Sequence, residues 1–180
     1  MNKKITLLNQ VTGPLFIDIA NEYAKVYDEV VLVTGVIEPT YASLCDKIKI
    51  VYKTTYKRKK SYLRILTWLL FYTQTYFYFL FKKKEYGEEV LIVTNPPILP
   101  FLGSAFFPKR KIRFKVLVYD VYPDVLSSFG YIKKTSLIYK YWDRMSKKSY
   151  KNAEEIFTIS SVMKKVVSRN VELNKINVIY

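Results

Sequence analysis

Histidine is absent from the 180 residues, and cysteine occurs once, at Cys45. The first absence excludes every mechanism built on an imidazole base, and the second excludes disulfide frameworks and cysteine-rich zinc sites. Catalysis in such a chain falls to carboxylates, hydroxyls, the backbone or a partner. Glycine is scarce, with 5 residues against 7 prolines, so neither a collagen-like nor a low-complexity reading survives. No repeat occurs at a solenoid period. There is no GxGxxG and no Walker lysine loop, which leaves a dinucleotide or nucleoside-triphosphate site without support. A ribonucleoprotein-type motif and a GxxG clamp are missing too, so nucleic acid is not the expected partner. Met1 to Lys4 is basic like the start of a signal peptide, but the apolar stretch behind it runs only from Ile5 to Leu8 before Asn9 and Gln10. No export signal is visible, and a cytoplasmic location is expected.

Acidic residues are also few, 15 against 30 Lys and Arg, for a net charge of +15. With 50% hydrophobic residues, 17 Tyr, 11 Phe and 2 Trp, the chain carries far too much apolar surface for a disordered basic tail. It folds, as one domain of ordinary size spanning 1–180, and its charge points to an anionic partner, either a membrane or a phosphate-bearing substrate.

Strand and helix alternate along most of the chain. Lys4 to Asn9 is a short apolar run closed by Thr12, Gly13 and Pro14, after which Phe16, Ile19, Ala20, Tyr23 and Ala24 recur at helical spacing between Leu15 and Tyr27. Glu29 to Thr34 is β-branched and nearly continuous, as a strand buried on both faces should be. Similar strands are predicted at Lys47 to Tyr52, Glu89 to Thr94, Arg113 to Tyr119 and Glu155 to Ile159. Helices are predicted at Ser61 to Lys83, Ile98 to Phe107, Ser136 to Lys151 and Ser161 to Arg169, the last with Ser160 or Ser161 as N-cap. This alternation argues an α/β fold, a doubly wound parallel sheet whose ligands sit beyond the carboxyl ends of its strands.

Three strand ends are therefore informative. Gly13 would let backbone amides at the start of the first helix approach an anionic or sugar ligand, although a plain turn would read the same way. Thr94-Asn95-Pro96-Pro97 is a stiff loop that would expose the Thr and Asn side chains for substrate recognition, or simply end a strand. Asp120-Val121-Tyr122-Pro123-Asp124 sets two carboxylates and a phenol just beyond a very apolar strand, where function is favoured over solvated turn residues.

Tyr62 to Phe81 is a run of 20 residues with a single charge, Arg64. Lys57, Arg58, Lys59 and Lys60 precede it, and Lys82, Lys83 and Lys84 follow. Length alone would allow a bilayer span. A span would split one parallel sheet across the membrane, and the equal basic flanks give no positive-inside asymmetry, so the span is rejected. Arg64, Thr67, Gln74 and Tyr78 fall on one narrow helical stripe, and Trp68, Leu69, Tyr72, Tyr76 and Phe79 cover the remainder. Part of that remainder must pack on the sheet. The rest, Trp68, Tyr72 and Tyr76 among it, has with its Lys clusters the chemistry of a helix resting among lipid headgroups; the alternative is an ordinary core helix with solvated ends.

Taken in order, the strand ends resemble a known family. Ala20-Asn21-Glu22-Tyr23-Ala24 with Val31-Leu32-Val33-Thr34-Gly35, then Val93-Thr94-Asn95-Pro96-Pro97, then Tyr119 to Asp124, each resemble motifs of the N-terminal, acceptor-side domain of GT-B glycosyltransferases. Asn152 to Ile156, Ile159 to Met163 and Lys175 to Tyr180 continue the match. The resemblance is to the retaining family four, nearest to bacterial capsule, O-antigen and exopolysaccharide transferases, and covers nearly the whole chain.

The resemblance implies a Rossmann-like domain. It further implies transfer of a sugar from a nucleotide-sugar to a polyprenyl-diphosphate-linked saccharide, with retention of configuration and with no bound metal or cofactor, at the inner face of the membrane. Asp120 would be the catalytic residue, and Gly13, Thr94, Asn95, Tyr122 and Asp124 would line the acceptor side. Many relatives place a His at the end of the strand matching Arg113 to Tyr119; this chain offers Asp120 instead. The family's second domain, which holds the nucleotide-sugar, would begin near Tyr180, so an acceptor half inactive without a donor domain is expected, with a separate donor-domain chain as one way to supply it. A non-catalytic membrane-associated module of the same fold is the alternative, and general nucleic-acid binding through the +15 charge is a third reading.

Overall fold

The computed structural model describes residues 3–39, 42–57, 60–169 and 171–179. Contacts gather them into two compact units, Met1–Leu91 and Ile92–Tyr180. The first contains β1 (Lys4–Leu8), β2 (Val11–Thr12), α1 (Pro14–Val26), β3 (Glu29–Thr34), β4 (Val36–Ile37), β5 (Ile48–Tyr52) and α2 (Ser61–Phe81), and the boundary falls within β6 (Glu89–Val93). The second contains α3 (Phe107–Lys109), β7 (Arg113–Val118), α4 (Asp124–Ser128), α5 (Leu137–Asn152), β8 (Glu155–Thr158), α6 (Ser161–Val167) and β9 (Ile176–Val178). Seven strands hydrogen-bond in the order β5-β3-β1-β6-β7-β8-β9, and β2 and β4 form a small parallel pair of their own.

In the first unit, β1 runs parallel to β3 with Ile5 opposite Val30, and β3 parallel to β5 with Leu32 opposite Ile50. The apolar runs are buried on both faces, as Leu7, Leu8, Leu32 and Val33 all are. That is why they read as continuous rather than alternating in the sequence. Pro14 stands at the first position of α1, where a missing amide hydrogen costs nothing, and Phe16, Ile17, Ala20 and Ala24 form the buried face of that helix.

In the second unit, β7 pairs parallel with β8 and β8 with β9, and Ser136 and Ser160 cap α5 and α6 by accepting from the amides of Tyr139 and Met163. The segment expected as a helix at Ile98 to Phe107 is wound differently. Pro96, Pro97 and Pro100 withhold amide donors, and the chain instead makes tight turns, with Leu99 bonding Pro96 and Gly103 bonding Pro100. A π-helical turn at Leu102–Phe106 follows, closed by the Phe107 amide on the Leu102 carbonyl. The widened turn presses Gly103 against the Phe114 ring and the Ser149 hydroxyl, and a β-carbon there would collide with both. The strand at Ile176–Val178, the β2–β4 pair and α4 are elements that the alternation pattern did not announce.

Candidate functional site

β6 and β7 end together in the second unit. Thr94 donates its amide to Leu117, and its hydroxyl oxygen accepts from the amides of Tyr119 at 3.0 Å and Asp120 at 3.4 Å. A threonine therefore ties down the end of the neighbouring strand and fixes where Asp120 begins. Thr94, expected among the acceptor-side residues, is only 5% exposed, and its oxygen is engaged in these two bonds. Thr94 is placed to position Asp120.

Asp120 itself is exposed, and its carboxylate has no hydrogen-bond or ion-pair partner among the described residues. Partial burial by the surrounding chain raises its pKa above the ordinary carboxylate value. Asn95 stands half-buried with an amide that bonds nothing among the described residues. Tyr119 is pushed up to about 12 by burial and stays a neutral phenol.

Tyr122 lies against α5, stacked on Trp142 with ring centroids 5.9 Å apart, and Phe101 meets the same indole edge-on. Asp124, expected beside Tyr122 as a ligand contact, is committed elsewhere: the Tyr139 hydroxyl donates to its Oδ1 at 2.7 Å and the Lys134 ammonium stands 3.8 Å from the same oxygen. It fastens α4 to α5. Burial first, then the bond to Asp124, raises Tyr139 to about 12. Trp142 and Tyr139 escaped the sequence reading because they sit inside a helix rather than at a strand end; their three-residue spacing on α5 was the available signal.

Gly13 belongs to the other compact unit. It caps α1 at φ −97°, which any residue adopts, and a β-carbon there would lie 3.4 Å from the carboxylate of Glu38. Nearby, buried Gln10 donates from Nε2 to the carbonyls of Thr67 at 3.0 Å and Thr54 at 3.2 Å, which anchors α2. Asn9, fully buried at the end of β1, has neither side-chain polar atom bonded.

Helix α2 turns an unexpected face outward. Thr67, Phe71, Thr75, Tyr78 and Phe79 are buried, together with Trp68. Arg64 lies over the Trp68 indole and Tyr56 stacks on it. Trp68 is buried by this packing, and Tyr72 and Tyr76 are half-buried. The threonines pack inward because their hydroxyls donate to their own helix, Thr67 to Arg64 at 2.9 Å and Thr75 to Phe71 at 2.7 Å. The exposed face carries Tyr62, Ile65, Leu66, Leu69, Phe77 and Phe81. Lys57 and Lys60 before it and Lys82 and Lys83 after it are exposed; Arg58 and Lys59 lie outside the described residues. Among the described residues no helix is long and apolar enough to cross a membrane, and no cluster of three His, Cys, Asp or Glu side chains is placed to hold a metal.

Set against solved structures, the chain matches a UGT transferase from Siraitia grosvenorii, solved in complex with UDP, at a TM-score of 0.52 and 8% identity over 93% of this chain. A glycosyltransferase from Rickettsia africae superposes at 0.49 with 16% identity over 99% of this chain. The chain spans 47% and 43% of the lengths of these two structures. No family model and no curated protein matches the chain. The likeness concerns the α/β fold, a Rossmann-like sheet flanked by helices.

Proposed function

We propose that the chain is the acceptor-binding half of a retaining glycosyltransferase, one that moves a sugar from a nucleotide-sugar to a polyprenyl-diphosphate-linked saccharide in surface-polysaccharide synthesis. The observation that carries the reading is Asp120: an unpartnered carboxylate with a raised pKa at a strand's carboxyl end, where ligands bind in open α/β sheets. Asn95 and the Tyr122 ring, held by Trp142, would face the acceptor saccharide through a hydrogen bond and a stacking surface. The transition state of such a transfer has oxocarbenium character with a departing diphosphate, so the enzyme chiefly orients the groups and stabilises charge. Asp120 would orient the attacking hydroxyl and take up its proton. A chain without histidine can do this. The nucleotide-sugar would be held mainly by a donor-binding domain, on this or a separate chain, and activity would require it.

The outward apolar face of α2 with its lysine flanks would rest on the anionic inner surface of the cell membrane, where such an acceptor resides. The test is transfer of labelled sugar from a nucleotide-sugar pool to the lipid-linked fraction in membranes of the native host. Deleting the gene should remove one lipid-linked product and restoring it should return that product. An unchanged lipid-linked profile in the deletion strain contradicts the reading; membrane binding without any transfer would leave a non-catalytic membrane module.

A further inference from the structure

Helix α5 and the turn before it carry a second exposed apolar surface, tied to the site side only where the Tyr141 ring meets Phe101 edge-on. Phe129 and Tyr131, their rings 6.4 Å apart, flank Gly130 at the tip of the turn. Gly130 has φ +74° and open space around it, a conformation that suits glycine and projects its neighbours outward. Leu137, Ile138 and Tyr141 on the first turns of α5 are exposed as well, Leu137 at 84% and Phe129 at 73%. Leu137, Tyr141, Arg144 and Lys148 follow at spacings of four, three and four residues, one face of the helix, apolar near the turn and basic behind it.

The charge around the patch selects its occupant. Residues 129–148 contain six Lys and Arg and one acid, Asp143. Lys147 is paired with that acid at 2.7 Å, whereas Lys133, Lys140, Arg144 and Lys148 are exposed and join no ion pair among the described residues. Protein interfaces are depleted of lysine, so an aromatic tip with a lysine-rich collar fits a protein partner poorly. It fits a bilayer well, with rings and aliphatics at the acyl boundary and cations among phosphates. Leu137 and Lys148 are separated by about 16 Å of helix, enough to reach from the acyl boundary into the headgroups.

We propose that the segment 129–141 is a second membrane-inserting surface, distinct from α2, whose partner is an anionic phospholipid bilayer. It deepens the membrane part of the proposed function and rests on none of the sugar chemistry. The test uses the full chain with vesicles of phosphatidylcholine alone or with phosphatidylglycerol. In a Tyr131→Trp variant, emission should shift to the blue and be quenched by bromine on the acyl chains, with anionic vesicles only. Replacing Phe129, Tyr131 and Leu137 together by Ser, all exposed positions, should weaken vesicle binding by about tenfold or more with circular dichroism unchanged. If Tyr131→Trp stays unquenched on vesicles that the chain binds, this proposal fails while docking through α2 stands. No binding to anionic vesicles overturns both. If the Ser variant instead abolishes self-association measured by sedimentation and leaves vesicle binding intact, the patch belongs to a second copy and the proposal is wrong.

Discussion

At residue scale, the buried Thr94 hydroxyl and the exposed Asp120 are coupled through the amide hydrogen bonds that Thr94 accepts. Thr94→Val keeps the shape but removes the acceptor for the amides of Tyr119 and Asp120, costing about 1–3 kcal/mol for the donors left unmade. The displaced Asp120 should then lower kcat with little change in KM, and Thr94→Ser should restore both; steady-state kinetics on the complete enzyme separates these from a plain loss of stability. The raised pKa of Asp120 has a signed consequence. If its ionised form is the active one, the acid limb of the rate profile should fall at a higher pH than an ordinary aspartate would give, because its proton is lost later on the way up. Gly103 tests packing alone. A β-carbon there meets Phe114 and Ser149, so Gly103→Ala should lower unfolding stability by about 1–3 kcal/mol in a urea titration, and an unchanged midpoint would mean that the π-helical turn gives way freely.

At the scale of elements, α2 is the informative one. Its inward face carries threonines and its outward face carries leucines, the reverse of what polarity suggests. Replacing Leu66 and Leu69, both about half exposed, with Ser should leave thermal stability nearly unchanged and weaken binding to anionic vesicles several-fold. Loss of stability instead would show that the face is covered in solution. The strands were legible because runs such as Glu29–Thr34 and Arg113–Val118 are buried on both faces and leave a continuous apolar signature. The facing of α2 was not legible, since a threonine hydroxyl that bonds its own helix behaves as an apolar group and nothing in the spacing announces it. The helix expected at Ile98 to Phe107 forms only from about Leu102, and as a π-helical turn, because apolar spacing alone does not register the donors that Pro96, Pro97 and Pro100 lack. Asp120 was visible as a strand-end carboxylate, whereas the service of Thr94 and Asp124 as internal fasteners depends on contacts between distant segments.

At the scale of the whole molecule, tyrosine governs the response to alkali. Tyr119 and Tyr139 are raised to about 12 chiefly by burial, and Tyr78 and Tyr150 are also shifted upward, from a usual value of 10.0. The folded state favours the neutral phenol, so its stability is full below about pH 10 and is lost as pH climbs towards the folded values. Urea midpoints across that range, with tyrosinate absorbance as the second readout, check it; a flat midpoint would mean that these phenols ionise as freely folded as unfolded. The excess of cations over the whole chain carries the membrane part of the account, and the catalytic part rests on one carboxylate. The most direct measurement is therefore sugar transfer to the lipid-linked fraction in membranes of the native host carrying either the natural chain or Asp120→Asn. The account predicts a fall in transfer of about a hundredfold or more with the protein still membrane-bound. Equal transfer by the two would contradict it.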